Sequence, residues 1–76
     1  MNNEKIGAAA GAVWGRLRDR GPDGLTINDL KRKTDGFTAD EIVAGIGWLA
    51  RENKVRIDSQ GRKTVLKLVE RELVEA

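Results

Sequence analysis

The stretch Thr38–Lys54, TADEIVAGIGWLARENK, decides how the rest of the chain is read. Thr38 is followed three residues later by Glu41, the S/T-x-x-E spacing of a capping box. Asp40 and Glu41 fall in the first turn, where the positive end of the helix dipole favours acids. Ile42, Ile46 and Leu49 recur at the i, i+4, i+7 spacing of one buried face. Asn53 is suited to the left-handed conformation that ends a helix, with Arg51 and Lys54 near the negative end. The pattern predicts the third helix of a three-helix unit. Its other faces carry no charge from Ile42 to Ala50, and Val43, Ala44, Gly47 and Trp48 point away from the Ile42/Ile46/Leu49 stripe. Gly45 and Gly47 each cost roughly 1 kcal/mol of helix propensity relative to alanine. A helix apolar all round is normally covered on more than one side, so a partner surface is expected here, a second copy of the chain being one candidate.

Downstream, Val55-Arg56-Ile57-Asp58 alternates as a strand, Ser59–Lys63 holds a turn, and Thr64–Leu68 returns. Leu66 and Leu68 match the inward positions of Val55 and Ile57, which predicts a β-hairpin. Residues 69–76 fit either a short final helix or a frayed tail.

Upstream, Phe37 precedes the Thr38 cap and is placed to pack on Ile42 or Val43 as a hydrophobic staple. Thr34-Asp35-Gly36 is a break. Thr26 caps a second helix with Asp29 in the position of a weaker capping-box acid, Ile27 and Leu30 face inward, and Lys31, Arg32 and Lys33 suit its C-terminal end. Leu25 fits a very short strand after the turn Gly21-Pro22-Asp23-Gly24. The first helix begins after a cap at Asn2 or Asn3 and ends near Asp19 or Arg20. Ile6, Ala10, Val13 and Leu17 share one face, flanked by Ala9 and Trp14. Gly7, Gly11 and Gly15, spaced by four, form a smooth strip. Either the strip lets another helix approach closely, or it reflects chance in an alanine- and glycine-rich helix.

With 76 residues the chain is expected to form one domain, residues 1–76, burying only about 60% of its unfolded surface. Cysteine and histidine are both absent, which excludes disulfides, thiolate metal sites and the commonest general base. No metal or cofactor is expected. No apolar run approaches the roughly 18 residues a membrane span needs, and the N-terminus lacks a signal pattern, so a cytoplasmic protein is expected with no membrane partner. The net charge of +2 says little about partners. An enzyme is a poor fit: Thr26, Thr34, Thr38, Thr64, Ser59 and the scattered acids form no motif with a base and an orienting group.

Helix, short strand, helix, turn, helix and hairpin is the order of a winged helix-turn-helix domain, a mainly α (α+β) fold whose three-helix core carries a C-terminal β-hairpin wing. The segments NNEKIGAAAGAVW (2–14), LTINDLKRKT (25–34) and GWLARENKV (47–55) resemble a family of small bacterial winged helix-turn-helix proteins of uncharacterised function. The resemblance covers nearly the whole chain. It implies the fold, and with it binding to duplex DNA, RNA or protein.

In the DNA-binding pattern of such a fold, helix three enters the major groove. Here its first half offers Asp40, Glu41, Val43 and Ala44, whereas base readout usually draws on Arg, Lys, Asn or Gln. The basic residues lie elsewhere: Lys31, Arg32 and Lys33 on helix two, and Arg56, Arg62, Lys63 and Lys67 on the wing. Two readings compete for them. They contact phosphates of duplex DNA, giving affinity without much sequence information, or they are a solvated charged face. Trp14 fits the core. Trp48 lies off the buried stripe and fits an interface, where tryptophan is enriched. The leading expectation is a nucleic-acid-associated, homodimeric winged helix with Lys31, Arg32, Lys33, Arg56, Arg62 and Lys63 on phosphates. The alternative is a homodimeric protein-interaction module that has lost DNA binding. The expected interface residues are Gly7, Gly11, Gly15, Val43, Ala44, Gly47 and Trp48.

Overall fold

The capping box that begins helix three is closed from both sides. The Thr38 hydroxyl accepts from the Glu41 N–H at 3.1 Å, and the Thr38 N–H donates to the Glu41 carboxylate at 2.9 Å. At the other end the N–H of Lys54 bonds the Leu49 carbonyl and the N–H of Asn53 bonds that of Ala50, with Asn53 at φ 58°. This is the paired 6→1 and 5→2 closure of a Schellman motif, with asparagine in the left-handed position.

The computed structural model describes residues 1–74, the side chain of Val74 excepted. Its elements run α1 (Asn3–Arg20), β1 (Leu25–Thr26), α2 (Ile27–Lys33), α3 (Ala39–Arg51), β2 (Val55–Gln60), β3 (Lys63–Leu68) and α4 (Glu70–Val74). Asn2 caps α1 by accepting from the Lys5 N–H, and Thr26 caps α2 by accepting from the Asp29 N–H. The three strands form an antiparallel sheet in the order β1-β3-β2, with Leu25 and Ile57 both opposite Leu66, and Val55 opposite Leu68. A short strand, three helices and a hairpin in this arrangement make a winged helix, as the sequence implied.

The core gathers Ala9, Ala10, Val13 and Leu17 of α1, Leu30 of α2, Ile42, Ile46 and Leu49 of α3, and Val55, Leu66 and Leu68 of the sheet. Gly45 fixes how closely α1 and α3 cross. A Cβ on Gly45 would lie 2.7 Å from the Ala10 nitrogen and 3.0 Å from the Ala9 carbonyl carbon, inside the backbone of α1. Within the chain the close approach therefore falls at Gly45. Gly11 and Gly15 face open space, and Gly7 is met by the Trp48 ring of the same chain, 3.5 Å from where a Cβ would stand.

The wing departs from the sequence reading in two ways. The turn is only Gly61-Arg62, so Ser59, Gln60 and Lys63 belong to the strands. Gly61 has φ 64°, and Arg62 is not among the residues at positive φ, the type II′ signature of a two-residue hairpin. Ile57 is 49% exposed although it shares a face with Leu66. It sits on the edge strand, while Leu66 lies on the central strand with a neighbour on either side.

Residues 70–74 form a helix, the first of the two alternatives open for the tail. Leu73 packs against the core and the Glu72 carboxylate accepts the Trp14 indole N–H at 2.8 Å. Residues 75 and 76 lie outside the described residues. Trp14 is accordingly half-buried against the core rather than enclosed by it.

Candidate nucleic-acid interface

Basic residues come together where α2 faces the wing. The antiparallel pairing of β1 with β3 holds the start of α2 beside the hairpin, because Thr26 is both the last residue of β1 and the cap of α2. The gap between them is a cleft of about 370 Å³ lined by Thr26, Ile27, Asn28, Asp29, Arg62, Lys63 and Thr64. It continues along the outer face of the sheet into a second hollow of about 440 Å³, reached by Arg20, Lys33, Gln60, Lys63 and Val65.

Of the six basic residues singled out by sequence, Lys33, Arg62 and Lys63 line these hollows. Arg32 touches them through Asp29, to which it is hydrogen-bonded as an exposed ion pair. Lys31 and Arg56 are exposed but lie outside the lining. Arg56 instead pairs in register with Lys67, which in turn approaches Asp58 at 3.9 Å.

Arg20 was not foreseen as a site residue. Its Nε donates to the Gly24 carbonyl at 3.1 Å, which holds the guanidinium at the rim of the cleft. Gly24 has φ 75°, and a Cβ there would lie 2.2 Å from the Leu66 carbonyl oxygen, so the 21–24 turn is pressed against β3 and carries Arg20 with it. The one signal for it in the sequence is the basic last turn of α1, Arg18 and Arg20, which compensation of the helix dipole also accounts for.

Two acids temper the charge. Asp23 and Asp29 share the lining with the cations. The Arg32 guanidinium, and after it the Thr26 hydroxyl, hold the Asp29 carboxyl below the usual carboxylate range, so it stays ionised. The C-terminal end of α2 is pinned from α1, since the Arg16 guanidinium donates to the Lys33 carbonyl.

The exposed face of α3 has different chemistry. Val43 is 45% and Trp48 42% exposed, Gly47 faces open space, and Asp40 and Arg51 stand at opposite ends. The Trp48 indole N–H donates to Glu52 at 2.9 Å on its own helix, while the ring covers Gly7. The chain thus presents a basic cleft on one side and a nearly uncharged helix face on another.

Residues 1–68 match the model of the winged helix-turn-helix domain family DUF2582. The chain belongs to that family. DUF2582 here takes in everything from α1 to the end of β3. An uncharacterised protein of Methanocaldococcus jannaschii, MJ1608, is 33% identical over 64 residues, covering 84% of this chain and 90% of that protein. The solution NMR structure of protein BT2368 from Bacteroides thetaiotaomicron superposes with a TM-score of 0.78 at 30% identity, over all of this chain and 89% of that one. Among the described residues no helix is long and apolar enough to cross a membrane, and no three His, Cys, Asp or Glu side chains gather to hold a metal ion.

Proposed function

We propose that this chain is a single-domain, nucleic-acid-associated winged-helix binding module, without catalytic activity, that grips the phosphate backbone of duplex DNA through its wing. The observation that carries the reading is the pair of adjoining hollows beside the wing, the cleft between α2 and the hairpin lined by Arg62 and Lys63, and the second hollow lined by Lys63, Lys33 and Arg20. Backbone contacts of this kind position a protein on a duplex without reading its sequence. The acidic start of α3 agrees with that division, because Asp40 and the exposed Val43 are not the Arg, Lys, Asn or Gln side chains that base readout commonly draws on, and an acid there repels phosphate.

The test is a fluorescence anisotropy titration of a labelled mixed-sequence duplex at low and then rising salt. Binding should fade as salt rises. In an Arg62→Glu/Lys63→Glu variant it should weaken strongly, and the log–log salt slope should shrink by roughly 2, one for each phosphate no longer neutralised. Absence of binding at low salt defeats the duplex reading.

A second reading is favoured by one specific observation, the exposure of both Val43 and Trp48 on α3. In it the chain is a homodimeric protein-interaction module, and the α3 face is its working surface. Sedimentation equilibrium without nucleic acid tests the association this reading requires, and the anisotropy titration separates it from the first, since here no duplex binding is expected.

A further inference from the structure

The exposed stripe of α3 is complementary to itself when turned end for end. Along it run Asp40, Val43, Ala44, Gly47, Trp48 and Arg51, on the side of the helix opposite the buried Ile42, Gly45, Ile46 and Leu49. Small residues stand at its middle, larger apolar ones on either side of them, and one acid and one base close its ends. Among the described residues neither Asp40 nor Arg51 has an ion-pair partner.

We propose that α3 pairs with α3 of a second copy, antiparallel, about a two-fold axis passing midway between Ala44 and Gly47. Residues on the central line of the stripe that lie equally far from that midpoint then face one another. Ala44 meets Gly47 of the copy and Asp40 meets Arg51 of the copy, each pairing occurring twice, while Val43 and Trp48 border this seam on its two flanks. Ala44 and Gly47 let the two backbones approach closely, since a Cβ on Gly47 would meet nothing in its own chain. The charge order decides the partner. A stripe that is acidic at its start and basic at its end requires an occupant of reversed polarity, and the same helix inverted supplies it while opposing the two helix dipoles. The inference rests on the second functional reading above and adds to it the partner and the register. The 13-residue helix spans only about 20 Å, so the interface falls at the small end of the range for specific association and the dimer is weak.

Sedimentation velocity from about 10 to 500 µM spans the dissociation constants expected of so small an interface. The wild type should show reversible dimerisation that weakens with salt. Asp40→Arg and Arg51→Asp each place like charges at both ends of the pair, and each should weaken self-association roughly tenfold or more. Mixed in equal amounts, the two variants should associate with one another, because every end pairing becomes attractive again. The double variant carrying both changes should likewise recover self-association. Circular dichroism checks that each exposed substitution leaves the fold intact. A wild type that stays monomeric throughout overturns this proposal together with the reading it rests on. A dimer indifferent to both reversals, or two variants that fail to associate when mixed, overturns the α3 pairing proposed here and leaves the homodimer reading to rest on another surface.

Discussion

Gly45 and Gly47 stand two residues apart on α3 and have opposite surroundings. Gly45 faces inward, and any side chain there would enter the backbone of α1 at Ala9 and Ala10. Gly47 faces outward into open space. Each costs the helix roughly the same propensity, about 1 kcal/mol against alanine. Only at Gly45 is that cost offset, by the close crossing of the two longest helices. The lesson is that the covered and uncovered faces of α3 obey different rules, although both are built from small and apolar residues.

The sharpest way to break this contrast is to fill both glycines. Gly45→Val should cost roughly 4 kcal/mol, a large part of the stability of a domain this size, because the clash is with backbone that has no rotamer to change. Gly47→Ala should stabilise by somewhat less than about 1 kcal/mol. Urea unfolding of the two variants reads both, and equal effects would erase the distinction between the faces.

The same contrast extends to the sheet. Leu66 and Ile57 are cross-strand partners, the one fully buried and the other half exposed. Leu66→Ala should cost about 3 kcal/mol, and Ile57→Ala less than about 1 kcal/mol, both read from the same unfolding curves. A comparable loss at Ile57 would mean that something covers the outer end of the wing.

The smallest effect is expected from pH. The Asp29 carboxyl is held below its usual range chiefly by Arg32, so its stabilising contribution is present above the unfolded-state value. That contribution is lost as the pH falls through the lowered value. An exposed pair is worth little, so the dip in thermal stability between neutral and strongly acid solution should be slight, and Asp29→Asn should remove it.

How much of this was legible in sequence follows the reach of each interaction. The capping box of Thr38 and Glu41 and the left-handed Asn53 are local, fixed by residues three or four positions apart, and they were readable. So were the three basic residues at the end of α2 and the pair at the wing. Gly45 was not, because its importance depends on the angle at which α1 crosses α3, and α1 lies some thirty-five residues earlier in the chain. The Trp14–Glu72 hydrogen bond joins residues 58 apart and has no local signature. The polar wing ends, Ser59, Gln60 and Lys63, read as turn because the strands there run beyond the core and have no apolar alternation to mark them. Arg20 escaped because its placement depends on the conformation of the Gly21–Gly24 turn.

The position of β3 in the sheet has a consequence for how the chain is made. This strand is central, yet it is formed by residues 63–68, near the end of the sequence, and it supplies Leu66 and Leu68 to the core. α1 is synthesised first and keeps Ala9, Ala10, Val13 and Leu17 uncovered until α3 and then β3 have followed it out. No early half of the chain holds a complete core of its own. Long-range closure of this kind slows folding and postpones it until nearly the whole sequence is available. Until then the apolar face of α1 has no partner within the chain, which makes it the segment on which a chaperone would be expected to rest.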